Sequence, residues 1–168
     1  DVKFDELPFS EGTTSVYAKV NQLHIHCSVF PIIYKCINDY KNYGGDEEVV
    51  LWLGNSQLHA INQMRTGDKT ASALLYRDLK KEKKHLLTFS QPNASLQEHY
   101  ILYEYLSQKL PITHLILPVV FDDLRETGIR SELKDVFKRR EVLHAISQTE
   151  IGETLIAIQS KNNIFDSN

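Results

Sequence analysis

Residues 49–56, Val-Val-Leu-Trp-Leu-Gly-Asn-Ser, are the stretch that decides the fold. They open with an uninterrupted apolar run rich in β-branched and aromatic types, which is typical of a strand buried on both faces of a parallel sheet. The run stops at Gly54, Asn55 and Ser56, and the residues that follow are compatible with a helix. Because open α/β sheets bind their ligands at the carboxyl edge of the strands, Ser56 is the leading candidate for a functional residue.

Two further apolar segments, at 86–89 and 114–121, alternate with amphipathic helical patterns along the rest of the chain. Such alternation predicts a parallel sheet with helices on both faces. We therefore expect a three-layer α/β/α fold with a flavodoxin-like sheet and 49–53 as its central strand. Pro118 lies inside the third segment and indicates an edge strand or a bulge there. Three strands are few for such a sheet, so we expect it to be incomplete at the C-terminus.

The chain before the central strand admits two interpretations. Over 16–29 a helical stripe of apolar residues competes with the strict alternation of a strand. The stripe continues as far as Tyr40, which favours two helices that meet at Pro31, since proline suits the first turn of a helix.

Composition and the positions of proline and glycine predict one folded domain with irregular ends. Residues 1–12 carry Pro8 and Gly12 among charged residues and predict an irregular lead-in. We expect a single α/β domain over 13–161 and a flexible, polar tail over 162–168. The 168 residues, 42% of them hydrophobic and 24% charged, are ordinary for one globular domain.

Charge and hydropathy argue against two classes of partner. The net charge of −3 gives no electrostatic footprint for a nucleic acid. The one basic cluster, at 80–84, lies at the expected end of a helix, where cations complement the helix dipole. No run of roughly 18 apolar residues is present, so the sequence predicts no membrane span.

The two cysteines predict free thiols. If both lie on helix, Cys27 and Cys36 point to opposite faces about 13 Å apart, and only a sharp chain reversal near Pro31 could join them. The compartment therefore stays open at this point. The chain begins at Asp1 rather than at a methionine, which agrees with removal of an upstream signal or anchor and with an extracytoplasmic location.

His24, His26 and Cys27 have a spacing compatible with metal ligation. The chain offers no second cluster to complete the ligand set. We expect no metal and no other cofactor.

Residues 51–56 resemble the first block of the GDSL/SGNH hydrolase superfamily, a hydrophobic strand followed by Gly-Asp-Ser, with Asn55 where aspartate usually stands. The resemblance covers roughly residues 49–125. It implies that Ser56 is a nucleophile and that its backbone N–H helps to form an oxyanion hole. Asn93 lies in the place of the second block and Asp122 in that of the third, where the family has its oxyanion-hole asparagine. Both are therefore candidate catalytic residues beside Ser56.

The same resemblance makes Asn55, His59 and Asp123 candidate substrate-binding residues. Each candidate also has a structural interpretation. Asn55 and Ser56 are good helix N-cap residues, and Asn93 suits a turn. His59 is as readily a partly buried surface histidine.

Two departures from the family bear on chemistry. A carboxylate at Asp122 would repel a developing oxyanion unless it were protonated or directed elsewhere, and the pair Asp122 and Asp123 suits a loop that pairs with Arg125. The family's Asp-x-x-His, which supplies the general base near the C-terminus, is absent from this chain. His59, His99 and His144 are the remaining candidate bases.

These observations lead to two hypotheses of function. The first is a serine esterase or O-acyltransferase domain acting on a small-molecule or glycan acyl ester through Ser56. The departing blocks resemble the envelope-polysaccharide acyltransferases of the superfamily more than its lipases. The second is a catalytically silent domain of the same fold that binds a glycan or a partner protein, which the missing base favours.

Overall fold

The computed structural model describes residues 2–10, 13–20, 23–27, 33–55, 58, 60–61, 70–91, 93–119, 121 and 128–161. In chain order the strands there are β1 (Val2–Ser10), β2 (Thr13–Val20), β3 (Leu23–His24), β4 (His26–Cys27), β5 (Glu48–Gly54), β6 (Ala60–Ile61), β7 (Lys84–Ser90) and β8 (Ile112–Ile116). The helices are α1 (Ile33–Tyr43), α2 (Ala71–Lys81), α3 (Leu96–Ser107), α4 (Ser131–Phe137), α5 (Arg140–Ile146) and α6 (Glu150–Lys161).

A four-stranded, all-parallel sheet confirms the predicted fold class. Its order is β4-β7-β5-β8, so β5 lies between the strands predicted to flank it. The middle of β5 is fully buried: Leu51 is in register with Leu87 of β7 and with Leu115 of β8. Counted from β5, the strands β7-β5-β8 follow the 2-1-3 order with which flavodoxin-like sheets begin.

Helices α1 and α2 cover opposite faces of this sheet. Ala73 and Tyr76 of α2 pack in a buried cluster with Val50 and Leu86. A disulfide joins α1 to Cys27 of β4, which is in register with Phe89. Consecutive residues of a strand point to opposite faces, so Leu86 and Phe89 lie on different sides. The helix–sheet–helix layering is that of a three-layer α/β fold.

The N-terminal prediction is wrong in its first half. β1, β2 and β3 form an antiparallel sheet in which β6 also pairs with β2, where the sequence predicted an irregular lead-in and a helix over 16–29. Val16 and Val20 fit both a helical stripe and a strand alternation, and the strand alternation is the correct one. The second predicted helix is confirmed as α1, which ends directly before Gly44.

The third predicted strand is shorter than expected. β8 ends at Ile116 and lies at the edge of the sheet, with Thr113, His114 and Leu115 exposed. Pro118 has no backbone N–H to donate to a ladder, which agrees with a strand that stops before it.

The chain divides into two compact units. One comprises Asp1–Ala94 and Leu110–Val119, and the other comprises Ser95–Lys109 and Val120–Asn168. Both sheets belong to the first unit, and α3 to α6 belong to the second. The single domain predicted over 13–161 stays a prediction, and the tail at 162–168 lies outside the described residues.

Candidate functional site

The carboxyl end of β5 is joined tightly to the end of β7. Gly54 is in register with Ser90, and the backbone N–H of Gln91 donates to the carbonyl of Gly54 at 3.1 Å. Beyond the strand, the carbonyl of Asn55 accepts from the N–H of Leu58 at 3.1 Å. A Cβ on Gly54 would lie 3.1 Å from Leu58 Cδ2, so a glycine suits this close turn.

Strand order puts the topological switch point of the sheet at this same end. The chain moves from β5 to β7 on one side and then to β8 on the other, so the direction of winding reverses beside β5. Open α/β sheets bind ligands at such a switch point, outside the carboxyl ends of the strands. The predicted residues of the three family blocks all follow the carboxyl ends of β5, β7 and β8 along the chain.

Four of the six predicted site residues lie outside the described residues: Ser56, His59, Asp122 and Asp123. Of the other two, Asn55 is half-buried directly after β5. Asn93 is exposed and has φ of 51°, in the left-handed region that asparagine tolerates better than most residues. This backbone is the one that its alternative interpretation as a turn residue requires. The expectation that Ser56, Asn93 and Asp122 line one cleft stays a prediction.

A buried histidine–serine pair at this edge was missed in the sequence. His26 Nε2 and Ser90 Oγ are joined by a hydrogen bond of 2.8 Å, and the two residues are 0% and 1% exposed. They are separated by 64 positions in the chain, so no local motif connects them. The only sequence signal was the alternation at 23–29, which suits a strand carrying His26.

The expectation of free thiols is wrong, because Cys27 and Cys36 form a disulfide with Cα atoms 6.6 Å apart. The predicted separation assumed that both cysteines lie on helix. Instead Cys27 belongs to strand β4 and Cys36 lies in the first turns of α1, so the separation expected for two helical cysteines does not apply. The bond also removes Cys27 from the set of metal-ligand candidates considered above.

Strand β4 is held to β7 by side-chain as well as backbone bonds. The carbonyl of Ile25 accepts from the backbone N–H of Thr88 at 2.8 Å and from its hydroxyl at 2.7 Å. Thr88 is fully buried and in register with His26. These bonds fix the backbone beside the histidine that contacts Ser90.

The opposite, amino end of the sheet contains a second buried histidine. His85 of β7 is fully buried, and neither ring nitrogen has a hydrogen-bond partner among the residues that the structure describes. The rings of Tyr40 and Tyr76 contact it edge-on, with centroids at 5.0 and 5.4 Å. Burial lowers the pKa of His85 to about 4, and the charge of Lys80 adds to the shift. The imidazole is therefore neutral at pH 7.

Glu47 organises the charges around His85. It forms an ion pair with Lys80, and its Oε2 lies 3.7 Å from His85 Nδ1, beyond hydrogen-bond distance. Burial, together with the carboxylate of Glu47, raises the pKa of Tyr76 to about 12. Tyr40 donates its hydroxyl to the carbonyl of Glu47 at 2.6 Å. This arrangement suits a packed structural corner rather than a nucleophile.

The second unit holds the other two candidate bases and a cleft. His99 is buried in α3, whereas His144 is exposed in α5. A cleft of about 220 Å³ lies between α3 and α6. Its lining is mainly apolar: Leu96, Gln97, Tyr100, Ile151, Thr154, Leu155 and Ile158.

The described residues contain neither a membrane-spanning helix nor a metal-binding cluster. No helix in that part of the chain is long and apolar enough to cross a membrane. No group of three or more His, Cys, Asp or Glu side chains there could hold a metal ion.

Comparison with known proteins does not extend these observations: no protein-family model, curated protein or solved structure matches the chain. The resemblance of residues 51–56 to the GDSL/SGNH superfamily therefore rests on the sequence motif alone.

Proposed function

We propose that this chain is an SGNH-like serine esterase or O-acyltransferase domain in which Ser56 attacks an acyl carbonyl. The observation that carries the proposal is the position of β5. The strand that runs into Gly54-Asn55-Ser56 is central in a parallel sheet, and its carboxyl end lies at the switch point of the winding. A hydroxyl that follows such a strand is well placed to meet a ligand.

In the proposed reaction the Ser56 oxygen bonds to the acyl carbon while its proton passes to a base. The C–O bond to the alcohol then breaks, and the alcohol leaves with a proton. Water releases the acyl group in an esterase, and the hydroxyl of a second substrate receives it in an O-acyltransferase. The N–H of Ser56 and the side chain of Asn93 would hold the oxyanion, and Asp122 would complete the catalytic set. Asn55, His59 and Asp123 would contact the substrate.

Because this chain lacks the Asp-x-x-His that supplies the family's general base, we expect Ser56 to react slowly in this chain alone. A serine hydroxyl stays a poor nucleophile unless a base within about 3 Å takes its proton. His59 is the histidine nearest to Ser56 in the sequence. Added imidazole can act as a substitute base, so it should increase reactivity at Ser56.

The test is labelling with a fluorophosphonate probe, followed by intact mass and peptide mapping. We expect weak labelling of one serine, Ser56, that rises with imidazole concentration. Ser56→Ala should abolish it, and Ser107→Ala, which removes an exposed serine of α3, should leave it unchanged. Labelling that maps to another serine, or none at any imidazole concentration, would contradict an esterase or acyltransferase role.

The absent base also favours a second candidate, the catalytically silent domain that binds a glycan or a partner protein. Asn93 supports it as well, because its exposed left-handed turn suits a structural role. This candidate predicts that Ser56→Ala alters glycan binding without any covalent labelling of the wild type.

The disulfide bears on where either function would operate. Disulfides form and persist in oxidising compartments and are rare in the cytosol. The Cys27–Cys36 bond therefore supports the proposal of an extracytoplasmic location.

A further inference from the structure

The buried His26–Ser90 pair lies one residue from the bond that fixes the end of β5. Ser90 is in register with Gly54, and the next residue, Gln91, donates its backbone N–H to the Gly54 carbonyl. The backbone after Gly54 is the segment that leads into Asn55 and Ser56. A change in the position of Ser90 would therefore be passed directly to that segment.

The position of His26 depends in turn on strand β4. Among the described residues, β4 pairs with β7 at two positions, His26 with Thr88 and Cys27 with Phe89. The Cys27–Cys36 disulfide ties its last residue to α1 and thereby restricts how far β4 can move away from β7.

We infer that His26 and Ser90 are positioning residues for the carboxyl end of β5, and that the Cys27–Cys36 disulfide keeps them engaged. The chain of contacts runs from the disulfide to β4, then through the His26–Ser90 bond to the end of β7, and from Gln91 to Gly54. The consequence for reactivity rests on the proposed function: nucleophilicity at Ser56 should be higher with the disulfide intact than with it reduced.

Reduction requires an external dithiol. Such a reductant supplies two electrons and two protons, so the sulfur–sulfur bond becomes the thiols of Cys27 and Cys36 while the dithiol closes to its own disulfide. β4 then lacks its covalent link to α1 and keeps, among the described residues, its pairing with β7, the bonds between Ile25 and Thr88 and the His26–Ser90 bond. We expect the His26–Ser90 bond to open more often in this state.

The first experiment measures amide hydrogen exchange by NMR and needs no enzymatic activity. The reporter is the N–H of Gln91, and the internal reference is the set of amides in α2, which detects general unfolding. We expect reduction, the double variant C27S/C36S and His26→Leu each to speed exchange at Gln91 by about fivefold, the factor that corresponds to one hydrogen bond. His26→Gln can still bond to Ser90 and should stay within about twofold of the wild type. His114→Leu, at an exposed histidine of β8, is the matched control.

The second experiment repeats the imidazole-assisted fluorophosphonate labelling of Ser56 on the same samples. We expect the labelling rate to fall about fivefold on reduction and in His26→Leu, and His26→Gln to restore it. Recovery with glutamine separates positioning from a simple loss of volume, which leucine and glutamine fill similarly.

The outcomes are distinguishable. Unchanged exchange at Gln91 on reduction and in His26→Leu would overturn the inference, whatever the labelling shows. Faster exchange with no labelling of any sample would leave the positioning role supported and contradict the proposed function. Faster exchange with equal labelling rates would contradict the link between this device and reactivity.

Discussion

The two ends of the parallel sheet each contain a fully buried histidine, and the two are stabilised differently. At the carboxyl end, His26 bonds to Ser90 at 2.8 Å on a strand fastened by a disulfide. At the amino end, the nitrogens of His85 have no hydrogen-bond partner, and the ring is enclosed by Tyr40 and Tyr76. Equal burial of His26 and His85 therefore does not mean an equal role. The first histidine fixes backbone geometry at the candidate site, whereas the second only fills space and must stay neutral.

The largest expected effect is at the carboxyl end. Replacing both Cys27 and Cys36 by serine removes a cross-link between residues separated by 9 positions. The chain-entropy model gives a loss of about 3 kcal/mol in the free energy of unfolding for a loop of this size. Urea unfolding of the oxidised wild type and of the double variant measures it. Equal stabilities would show that β4 is held by its strand pairing alone.

At the amino end we expect a loss of stability in acid that is specific to His85. Its pKa of about 4 in the folded protein lies below the unfolded value of 6.5, so protonation favours the unfolded chain. The stability that the neutral imidazole of His85 contributes is fully present above pH 6.5 and is lost progressively as the pH falls towards 4. At pH 4.5 the loss amounts to about 2.5 kcal/mol.

His85→Leu removes the titrating group and serves as the measurement. Urea unfolding of both proteins at pH 7.5 and pH 4.5 should show the variant gaining about 2.5 kcal/mol relative to the wild type at the acid pH. Parallel pH profiles would mean that His85 is already paired or already charged in the folded protein.

The same substitution at the carboxyl end should lower stability at neutral pH, where His85→Leu has little effect. His26→Leu breaks the bond to Ser90 and leaves a buried hydroxyl short of one partner, which costs about 1–2 kcal/mol. At pH 7.5 the His85→Leu variant should be close to the wild type, because it removes nitrogens that make no hydrogen bond. Thermal unfolding of the two variants side by side tests this contrast. Similar losses of stability in both variants would show that the two histidines do not differ in this respect.

The smallest expected effect concerns the charge of Lys80 at the amino end of the sheet. Lys80 is partly exposed, so Lys80→Met should change stability by about 0.5 kcal/mol or less. Its charge nevertheless lowers the pKa of His85, so the variant should raise that pKa. An NMR titration of the imidazole measures the direction. A pKa that stays constant or falls would show that burial alone holds the ring neutral.

The sequence predicted the centre of the parallel sheet because the signal there is local. The apolar run at 49–53 strongly favours a buried central strand of an α/β sheet, and β5 is that strand. The edge was harder: β8 stops at Ile116, although the apolar pattern continues past Pro118. The N-terminal hairpin was missed because Val16 and Val20 satisfy two periodicities at once.

The candidate site likewise has one part that the sequence predicts and one part that it does not. Gly54, Asn55 and Ser56 form one contiguous motif that can be recognised directly in the sequence. The His26–Ser90 bond joins distant positions and depends on the register of β4 against β7, which no local pattern reports. The disulfide was not predicted because a helical assignment puts Cys27 and Cys36 on opposite faces, where only a sharp chain reversal could join them. One wrong element therefore concealed both the cross-link and the histidine beside it.

We propose that function resides at the carboxyl end of the sheet and not at the amino end. The most direct test is the rate of imidazole-assisted fluorophosphonate labelling, mapped to individual serines, in the wild type, His26→Leu and His85→Leu. We predict labelling at Ser56, a rate about fivefold lower in His26→Leu, and a rate in His85→Leu equal to that of the wild type. Equal slowing in both variants, or labelling at a serine other than Ser56, would contradict the account.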